Sequence, residues 1–378
     1  MMGAPLPAAV IFRKRILPWS ETFVGAQAQA LTRYRPVLAG YHRDRSGDAY
    51  VRGMRQLLLD EVCILPPIEK FLLKKFGRVP PQWQRALVEE HPAVLHAHFG
   101  SSAVPGRHLA HALGIPMLLT YHGMDITVRA RSPAEVRRRL EAFATATRVI
   151  AVSEYIAQKV REAGCPPEKV VVHFIGVDTT LFFPGAAPPA EARVLFVGRL
   201  VAKKGVIHLV HAMRQVQRGV PGAELVIAGD GRLRTVLERE AATLGVNARF
   251  LGVQTPDQVR ALMQGATVVA GPSIAEASGN NEGLGMVFIE AQACGTPVVV
   301  ARSGGAAEGV VDGETGLLFE PGDEAALAAH LITLLRDPGR RARMGTAARV
   351  HVEHSFDLAR QTAKLERIYD DVREGVSY

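Results

Sequence analysis

The sequence contains VLFVG at 194–198, LVIAG at 225–229 and PVVVA at 297–301, three short stretches that are apolar throughout. Strands of a parallel sheet have this composition because helices cover both faces of the sheet. Amphipathic stretches of helical length, at 205–218 and 231–244, follow the first two of them. Strands that alternate with such helices indicate βαβ units. The second half of the chain is therefore predicted to be a doubly wound α/β domain.

The first half alternates in the same way. Its predicted strands are 7–12, 36–41, 94–98, 116–121, 148–152 and 169–174. Residues 43–80 interrupt the alternation and contain an amphipathic stretch, 69–76, of apolar and basic side chains. Such a stretch can lie on a membrane surface, or it can pack on the domain with its lysines in water. Both interpretations stay open at this point.

A Pro- and Gly-rich stretch, PGAAPPA at 184–190, separates the two halves. Neither a helix nor a central strand continues through this composition, which therefore predicts a linker. We predict two Rossmann-like, doubly wound domains at 1–183 and 190–356, with a final helix at about 357–378 that crosses back onto the first. Ligands of such sheets bind beyond the carboxyl ends of the strands, so a central cleft faced by both domains is the expected site.

Composition excludes several classes of protein. With 378 residues, 48% hydrophobic and 22% charged, the chain is typical of globular proteins. It lacks the apolar run of about 18 residues that a membrane span requires. The basic residues 13–15 follow the first apolar stretch, whereas in a secretory signal they precede it. Cys63, Cys165 and Cys294 lack the spacing of a zinc site or a disulfide framework. A cytoplasmic protein with reduced thiols is expected.

The net charge of +8 is unevenly distributed. Residues 1–185 contain 24 Lys and Arg against 15 Asp and Glu, and the remainder is close to neutral. This excess suggests contact with an anion: a phosphate-bearing acceptor, the surface of an anionic membrane, or nucleic acid. Nucleic acid is disfavoured because no helix-turn-helix, zinc-finger or aromatic-platform pattern is present. A solvated, Arg-rich surface is the other explanation.

The strongest chemical signal is NEGLGMVFIEAQACGTPVV at 281–299, in which Glu282 and Glu290 are separated by seven residues. Glycines in the loop allow backbone N–H groups to approach a ligand closely, and the start of the following helix favours phosphate. The two carboxylates are suited to accept hydrogen bonds from sugar and ribose hydroxyls. The alternative is a Gly-rich turn before an amphipathic helix in which Glu290 is buried and paired.

The second signal, GRLVAKKG at 198–205, follows a predicted apolar strand and begins a helix. Arg199 can hold a phosphate with two hydrogen bonds, and Lys204 supplies a compact positive charge. At the carboxyl end of a strand, both side chains can face a diphosphate. The alternative is a basic loop without a ligand.

Further motifs follow one another along the chain: SETFV at 20–24, HFG at 98–100, TYHGMD at 120–125, GVD at 176–178 and FP at 183–184. The carboxylate pair resembles the E-x7-E motif of family 4 of the retaining glycosyltransferases, and GRLVAKKG resembles the GR…KG loop of that family. SETFV resembles the start of members that build bacterial exopolysaccharides. The resemblance covers almost the whole chain, and it implies the two-domain fold called GT-B.

The resemblance also implies a role for each matching residue. Arg199 and Lys204 would neutralise the donor diphosphate, Glu290 would hold the ribose hydroxyls, and Glu282 would contact the donor sugar. The other implied positions are backbone N–H groups of Gly283, Leu284 and Gly285 near sugar and phosphate, Gly252 and Val253 along the base, His122 beside the reacting centre, Asp125 orienting the loop of His122, and Ser20 and Glu21 on the acceptor side.

The implied activity is sugar transfer with retention of configuration, from a UDP- or GDP-linked sugar to a glycan, a lipid-linked or a small-molecule acceptor. The resemblance places it in exopolysaccharide or cell-envelope synthesis. Front-face attack is implied, with the leaving phosphate accepting the proton, and His122 as general base remains open. No Asp-x-Asp metal motif is present. No cofactor and no metal are therefore expected, with Arg199 and Lys204 in place of the metal.

Two departures and two rival functions limit the resemblance. Residues 13–20, RKRILPWS, lack the glycine pair that many members have in their first loop, and residues 273–280 are longer than the common form. The rival functions are an epimerase on the same fold and a catalytically silent partner subunit that binds a nucleotide sugar.

The histidines of the first half raise the question of a zinc site. His108 and His111 lie three apart on a predicted helix, but the HExxH zinc pattern is absent.

Overall fold

The structure is a computed structural model that describes residues 6–16, 18, 21–44, 51–186 and 192–375. The chain folds as two compact units. The first unit combines the chain up to Gly176 with the segment from Leu358 onward, and the second unit is Val177–Asp357.

The described residues form strands and helices that alternate along most of the chain. The strands are β1 (Ala8–Phe12), β2 (Arg15–Ile16), β3 (Arg35–Gly40), β4 (His42–Arg43), β5 (Arg55–Leu58), β6 (Pro92–His98), β7 (Met117–Tyr121), β8 (Arg148–Ala151), β9 (Val170–Val172), β10 (Arg193–Val197), β11 (Glu224–Ala228), β12 (Ala248–Gly252), β13 (Val268–Gly271), β14 (Val298–Ala301) and β15 (Gly316–Phe319). The helices are α1 (Thr22–Gln29), α2 (Leu59–Val62), α3 (Pro66–Phe76), α4 (Pro81–Val88), α5 (Ala103–Leu113), α6 (Met124–Thr127), α7 (Pro133–Thr145), α8 (Glu154–Glu162), α9 (Val206–Gly219), α10 (Arg234–Leu244), α11 (Pro256–Gln264), α12 (Met286–Ala293), α13 (Glu324–Arg336), α14 (Pro338–Ser355) and α15 (Leu358–Glu374).

The first unit is built on a parallel sheet with the strand order β5-β3-β1-β6-β7-β8-β9. The chain leaves β1 towards β3 and later returns to β6 on the other side of β1. This reversal is the topological switch point of a doubly wound sheet, where the loops after neighbouring strands diverge and leave room for a ligand.

The second unit repeats the plan with the parallel order β12-β11-β10-β13-β14-β15. Its switch point lies between β10 and β13. The three apolar stretches with which the sequence prediction began form β10, β11 and β14, and the central residues of all three are buried. Their burial on both faces confirms the reason for their composition.

The border between the units lies earlier in the chain than the sequence predicted. Residues 177–183 were assigned to the first domain, but they pack within the second unit. The amide of Val177 donates to the carbonyl of Phe356 at 2.7 Å. The guanidinium of Arg349 donates to the carbonyls of Phe182 and Thr179 at 2.7 and 3.1 Å. These contacts run from α14 and the residue that follows it to a segment without a regular helix or strand, so no sequence periodicity marks them.

Helix α15 packs on the first unit. Leu365, Ile368, Tyr369 and Val372 recur at helical spacing and join the core of that unit. The carboxylate of Glu366 on the same helix accepts hydrogen bonds from the amides of Thr32 and Arg33 at 2.7 and 2.6 Å. Throughout the described part of the chain, no helix combines the length and the apolar composition needed to cross a bilayer.

Candidate active site

The loops that follow β10 and β13 lie against each other at the switch point of the second unit. The amide of Ile274 donates to the carbonyl of Lys203 at 2.8 Å. Gly205 has φ +60°, and a Cβ atom there would lie 1.9 Å from the carbonyl oxygen of Pro272. Only glycine fits this position, because both the backbone conformation and the close approach exclude a side chain.

This junction brings two lysines to one carboxylate, with the charge of Arg199 close to one of them. The Nζ atoms of Lys204 and Lys203 lie 3.0 and 3.4 Å from Oε1 of Glu282. Burial disfavours the charged form of Glu282 and by itself would raise the pKa of its carboxyl. The positive charges of Lys204 and Lys203 outweigh the effect of burial and hold this pKa below its usual value. Burial lowers the pKa of Lys203; Glu282 opposes this shift, and the nearby charges of Lys204 and Arg199 add to it.

Arg199 is exposed, and its side chain has no ion pair or hydrogen bond with any described residue. Two of the three cations therefore remain uncompensated after Glu282 has been counted. An excess of positive charge at the carboxyl end of a parallel strand is suited to an anion that carries two negative charges, such as a diphosphate.

A loop that sequence reasoning missed holds Glu282 in place. The amide of Gly305 donates to the carbonyl of Glu282 at 3.0 Å. The hydroxyl of Ser303 donates to Oδ1 of Asn281 at 2.7 Å, and that oxygen also accepts the amide of Glu282 at 2.8 Å. The signal in the sequence is Ser303-Gly304-Gly305 directly after β14, which marks a tight turn at the carboxyl end of a strand.

Glu290 lies on α12, the helix that begins after Gly285. Burial raises the pKa of its carboxyl to about 7. No side chain among the described residues pairs with this carboxyl. The buried, paired glutamate that the sequence offered as an alternative is therefore Glu282, whereas Glu290 keeps both oxygens for another partner.

The remaining predicted donor residues occupy the same edge of the second sheet. Gly252 ends β12 with φ +71°, and its carbonyl accepts the amide of Gly229 at 2.7 Å. Val253 follows it as an exposed apolar side chain, and Leu284 is buried. Gly283 and Gly285 flank Leu284 in the loop before α12.

A second cluster lies in the first unit, at the carboxyl ends of β6 and β7. Asp125 accepts hydrogen bonds from the amides of Gly100, His122 and Gly123 at 3.0, 3.2 and 2.9 Å. Nδ1 of His98 lies 3.1 Å from Nε2 of His122. Burial, followed by the charges of nearby groups, lowers the pKa of both rings well below the usual value. His122 is therefore a neutral imidazole at neutral pH.

Arg13 lies in the first loop, which lacks the glycine pair of many family members, and its side chain contacts two neighbouring loops. Its guanidinium donates to both oxygens of Glu21, at 2.8 and 2.6 Å, and lies 4.2 Å above the ring of Phe99. Phe99 has φ +66°, a conformation that costs about 1–3 kcal/mol in a non-glycine residue. Its ring lies 4.3 Å from that of His122. Ser20, the other predicted acceptor-side residue, lies outside the described residues.

The neighbouring histidines are structural. His96 Nδ1 lies 2.7 Å from the hydroxyl of Tyr369 on α15, and the ring of His96 stacks on that of His98 at 4.1 Å. His111 is exposed. Within the described residues, no group of three His, Cys, Asp or Glu side chains is arranged to hold a metal ion.

Two doubly wound parallel sheets, each with polar loops at its switch point, define the GT-B class of glycosyltransferase fold. The solved structure of HepE from Anabaena, in complex with UDP and glucose, is similar with a TM-score of 0.79. The two chains share 20% sequence identity over 96% of this chain and 100% of that one.

Family models and relatives agree with the fold. Residues 20–181 match the model of Glycosyltransferase Family 4, and residues 177–351 match that of Glycosyl transferases group 1. The D-inositol 3-phosphate glycosyltransferase of Corynebacterium diphtheriae is 34% identical over 74% of this chain and 70% of its own length. The putative colanic acid biosynthesis glycosyltransferase WcaL of Escherichia coli is 29% identical over 90% of this chain and 83% of its own length. The chain therefore belongs to glycosyltransferase family 4.

Local identity is higher with a GDP-mannose-dependent monoacylated alpha-(1-6)-phosphatidylinositol monomannoside mannosyltransferase of Corynebacterium glutamicum. The two chains are 42% identical over 172 residues, which is 45% of each of them. The match to this relative thus spans less than half of its length.

Proposed function

We propose that the chain transfers a sugar, with retention of configuration, from a nucleoside-diphosphate sugar bound by the second unit to an acceptor bound by the first. One observation carries the proposal. At the switch point of the second unit, Lys203 and Lys204 face the carboxylate of Glu282, and the charge of Arg199 acts on Lys203. Glu290 has no partner among the described residues. This arrangement supplies positive charge for a diphosphate and a hydrogen-bond acceptor for ribose hydroxyls.

The cations also suit the chemistry of transfer. As the bond between the anomeric carbon and the β-phosphate oxygen breaks, negative charge builds on the diphosphate. Fixed positive charges placed there lower the barrier directly. In our proposal Arg199 and Lys204 stabilise the leaving diphosphate, and buried Lys203, which the sequence analysis did not select, keeps Glu282 ionised and in position.

The proposed attack occurs on the face that the leaving group occupies. The acceptor hydroxyl forms its bond to the anomeric carbon as the phosphate departs, and the hydroxyl proton passes to the departing phosphate oxygen. The neutral ring of His122 in the first unit is the alternative proton acceptor. No carboxylate nucleophile is required on this route, so Glu282 is proposed to contact the donor sugar rather than to attack it.

The proposed acceptor is a glycan, a lipid-linked sugar or a small molecule of cell-envelope or exopolysaccharide synthesis. The resemblance of the sequence to the exopolysaccharide branch and the similarity to WcaL support this choice. UDP and GDP are the proposed nucleotides. HepE is bound to UDP in its solved structure, and the mannosyltransferase relative is GDP-mannose-dependent by name. We propose a cytoplasmic location with peripheral contact to an anionic membrane, and neither a metal nor another cofactor in the transfer.

A thermal-shift panel tests the donor site. The purified chain is melted with UDP-, GDP-, ADP- and TDP-sugars and with the bare diphosphates, with and without EDTA. A ligand that binds only the folded state raises the melting temperature by mass action. We expect one nucleotide to stabilise the chain, and the effect to survive EDTA.

Arg199→Ala and the matched control Arg214→Ala, an exposed arginine on α9, decide where the nucleotide binds. Loss of the shift in Arg199→Ala alone supports the proposed site. Absence of any shift across the panel would remove the donor proposal. Binding without release of free nucleoside diphosphate in the presence of candidate acceptors would favour the silent partner subunit, whereas conversion of the donor sugar without that release would favour the epimerase.

A further inference from the structure

Large apolar side chains are exposed along one short segment of the first unit, residues 64–76. Ile64, Leu65, Ile68, Phe71 and Phe76 are between 53% and 81% exposed. They account for five of the fifteen large exposed apolar residues in the described part of the chain. An exposed apolar side chain is ordinary when it stands alone, but a contiguous group marks a surface that contacts something apolar.

Helix α3 explains why these side chains face water. The helix packs on the unit mainly through Leu73, its only fully buried residue. Ile68 and Phe71 lie on the opposite face, and Ile64 and Leu65 lie in the short bent connection between α2 and α3. A helix that only packed on its own domain would turn this apolar face inward. The segment therefore presents an apolar surface that the fold of the unit does not cover.

Lysines share the exposed face with the aromatic rings. Nζ of Lys75 lies 5.3 Å above the rings of both Phe71 and Phe76, which are themselves in edge-to-face contact at 6.2 Å. Lys74 is also exposed. Lys14 lies close enough to Lys74, Arg13 and Arg138 for their charges, after burial, to lower its pKa, so basic residues from outside the helix border Lys74.

We propose that residues 64–76 form a membrane-docking surface, in which the apolar side chains enter the acyl boundary of an anionic bilayer and Lys74 and Lys75 contact its headgroups. The juxtaposition of apolar and cationic groups on one face selects this occupant. A protein partner of matching apolar character would have to neutralise the lysines with its own acidic groups. The interfacial region of an anionic bilayer offers both environments at once. The long lysine stems allow the ammonium groups to reach the headgroups while the rings are buried.

Vesicle co-sedimentation of the full chain tests the docking surface. The probes are vesicles of phosphatidylcholine alone and of phosphatidylcholine mixed with phosphatidylglycerol. We expect binding only to the anionic vesicles, weakening as salt is added. Lys74→Glu with Lys75→Glu, and separately Phe71→Ser with Phe76→Ser, are each expected to weaken binding at least about tenfold.

The matched control is Val236→Ser with Arg239→Glu, which changes an exposed apolar and an exposed basic residue on α10 of the second unit. It is expected to bind vesicles as the wild type does. Because all of these substitutions lie on the surface, circular dichroism melts show whether each variant is folded. As an independent readout, Phe71→Trp is expected to show a blue-shifted emission with anionic vesicles, whereas Val236→Trp is not.

Three results overturn the proposal. One is a wild-type chain that does not bind anionic vesicles. Another is binding that both double variants retain. The third is a concentration-dependent dimer in sedimentation equilibrium that Phe71→Ser with Phe76→Ser dissociates, because the apolar surface would then belong to a second copy of the chain. None of these results bears on sugar transfer, which the nucleotide panel tests separately.

Discussion

Two glutamates of one loop and helix have opposite electrostatic environments. Glu282 is ionised because Lys203 and Lys204 lie against it, whereas Glu290 is half-buried without a cation, and desolvation raises its pKa to about 7. The first carboxylate is thus stabilised by the protein itself. The second is held at a cost in stability, which is the pattern expected of a group that waits for a ligand.

The replacement Glu290→Gln should stabilise the ligand-free chain above about pH 7. A carboxyl whose pKa is higher in the folded than in the unfolded state loses stability as the pH rises from about 4.5 to about 7, because the folded state resists ionisation. Glutamine removes that penalty. We expect a gain of roughly 1–3 kcal/mol near pH 8, shrinking as the pH falls, measured by denaturant unfolding. A variant that is less stable than the wild type near pH 8 contradicts the unpaired environment of Glu290.

The same replacement should weaken nucleotide binding about tenfold, because a neutral amide accepts weaker hydrogen bonds from ribose hydroxyls than a carboxylate does. The nucleotide affinity of the wild type should fall as the pH is lowered from about 8 to 6, because Glu290 takes up a proton. The affinity of the variant should not show this dependence on pH. Calorimetric titration measures both, with Glu320→Gln, an exposed glutamate of the same unit, as the control. Equal affinities at every pH would refute the ribose assignment.

His122→Ala should lower turnover roughly tenfold to a hundredfold while leaving nucleotide affinity nearly unchanged. The ring lies in a loop that Asp125 holds through backbone amides, in the unit that is proposed to bind the acceptor. The rate of nucleoside diphosphate release measures turnover, and calorimetry measures affinity. His111→Ala, at an exposed histidine of the same unit, is the control. A loss of affinity that fully accounts for the loss of rate would assign His122 to the donor instead.

The sequence could supply the residues of these sites but not their partners. The Gly-rich loop, the predicted helix and the spacing of the two carboxylates selected Glu282, which precedes that helix, and Glu290, which lies in it. It could not show that Glu282 is the paired one, since its partners follow a strand some 80 residues earlier. The same holds for Ser303, which bonds to Asn281, and for Arg13, whose contact with the ring of Phe99 joins loops that are distant in the chain.

At the scale of elements, the site depends on two loops that touch. Gly205→Ala should cost roughly 3 kcal/mol or more, because it adds a clash with Pro272 to the strain of a positive φ. Gly245→Ala is the matched control, with φ +67° and no atom within 4 Å of the added carbon. It should cost only about 1 kcal/mol. Urea unfolding compares the two variants. Equal losses would mean that the loops after β10 and β13 are not held together here.

Periodicity predicted most elements because buried parallel strands and amphipathic helices have distinct patterns. It assigned no strand or helix over residues 43–80, where β5 and α2 have four residues each and Ile68, Phe71 and Phe76 of α3 are exposed. It also missed β15, a GLLF stretch too short to stand out between a turn and a helix.

At the scale of the whole molecule, the chain leaves the first unit, forms the second and returns through α15. Leu365→Asp should therefore destabilise the first unit selectively, by roughly 3 kcal/mol or more, since it buries an unpaired charge in that core. Differential scanning calorimetry should show the transition of the first unit moved to lower temperature. The transition of the second unit, identified because added nucleotide raises its temperature, should not move. Arg367→Asp, on the exposed face of the same helix, is the control. A uniform shift of both transitions would contradict the independence of the two cores.

The measurement that tests the central claim most directly is a crystal structure of the chain with the nucleoside diphosphate that the thermal panel selects. We predict the diphosphate on Arg199 and Lys204 at the carboxyl end of β10, with the ribose hydroxyls donating to the carboxylate of Glu290. A nucleotide bound elsewhere, or bound at this edge with Glu290 still unpartnered, would contradict the account.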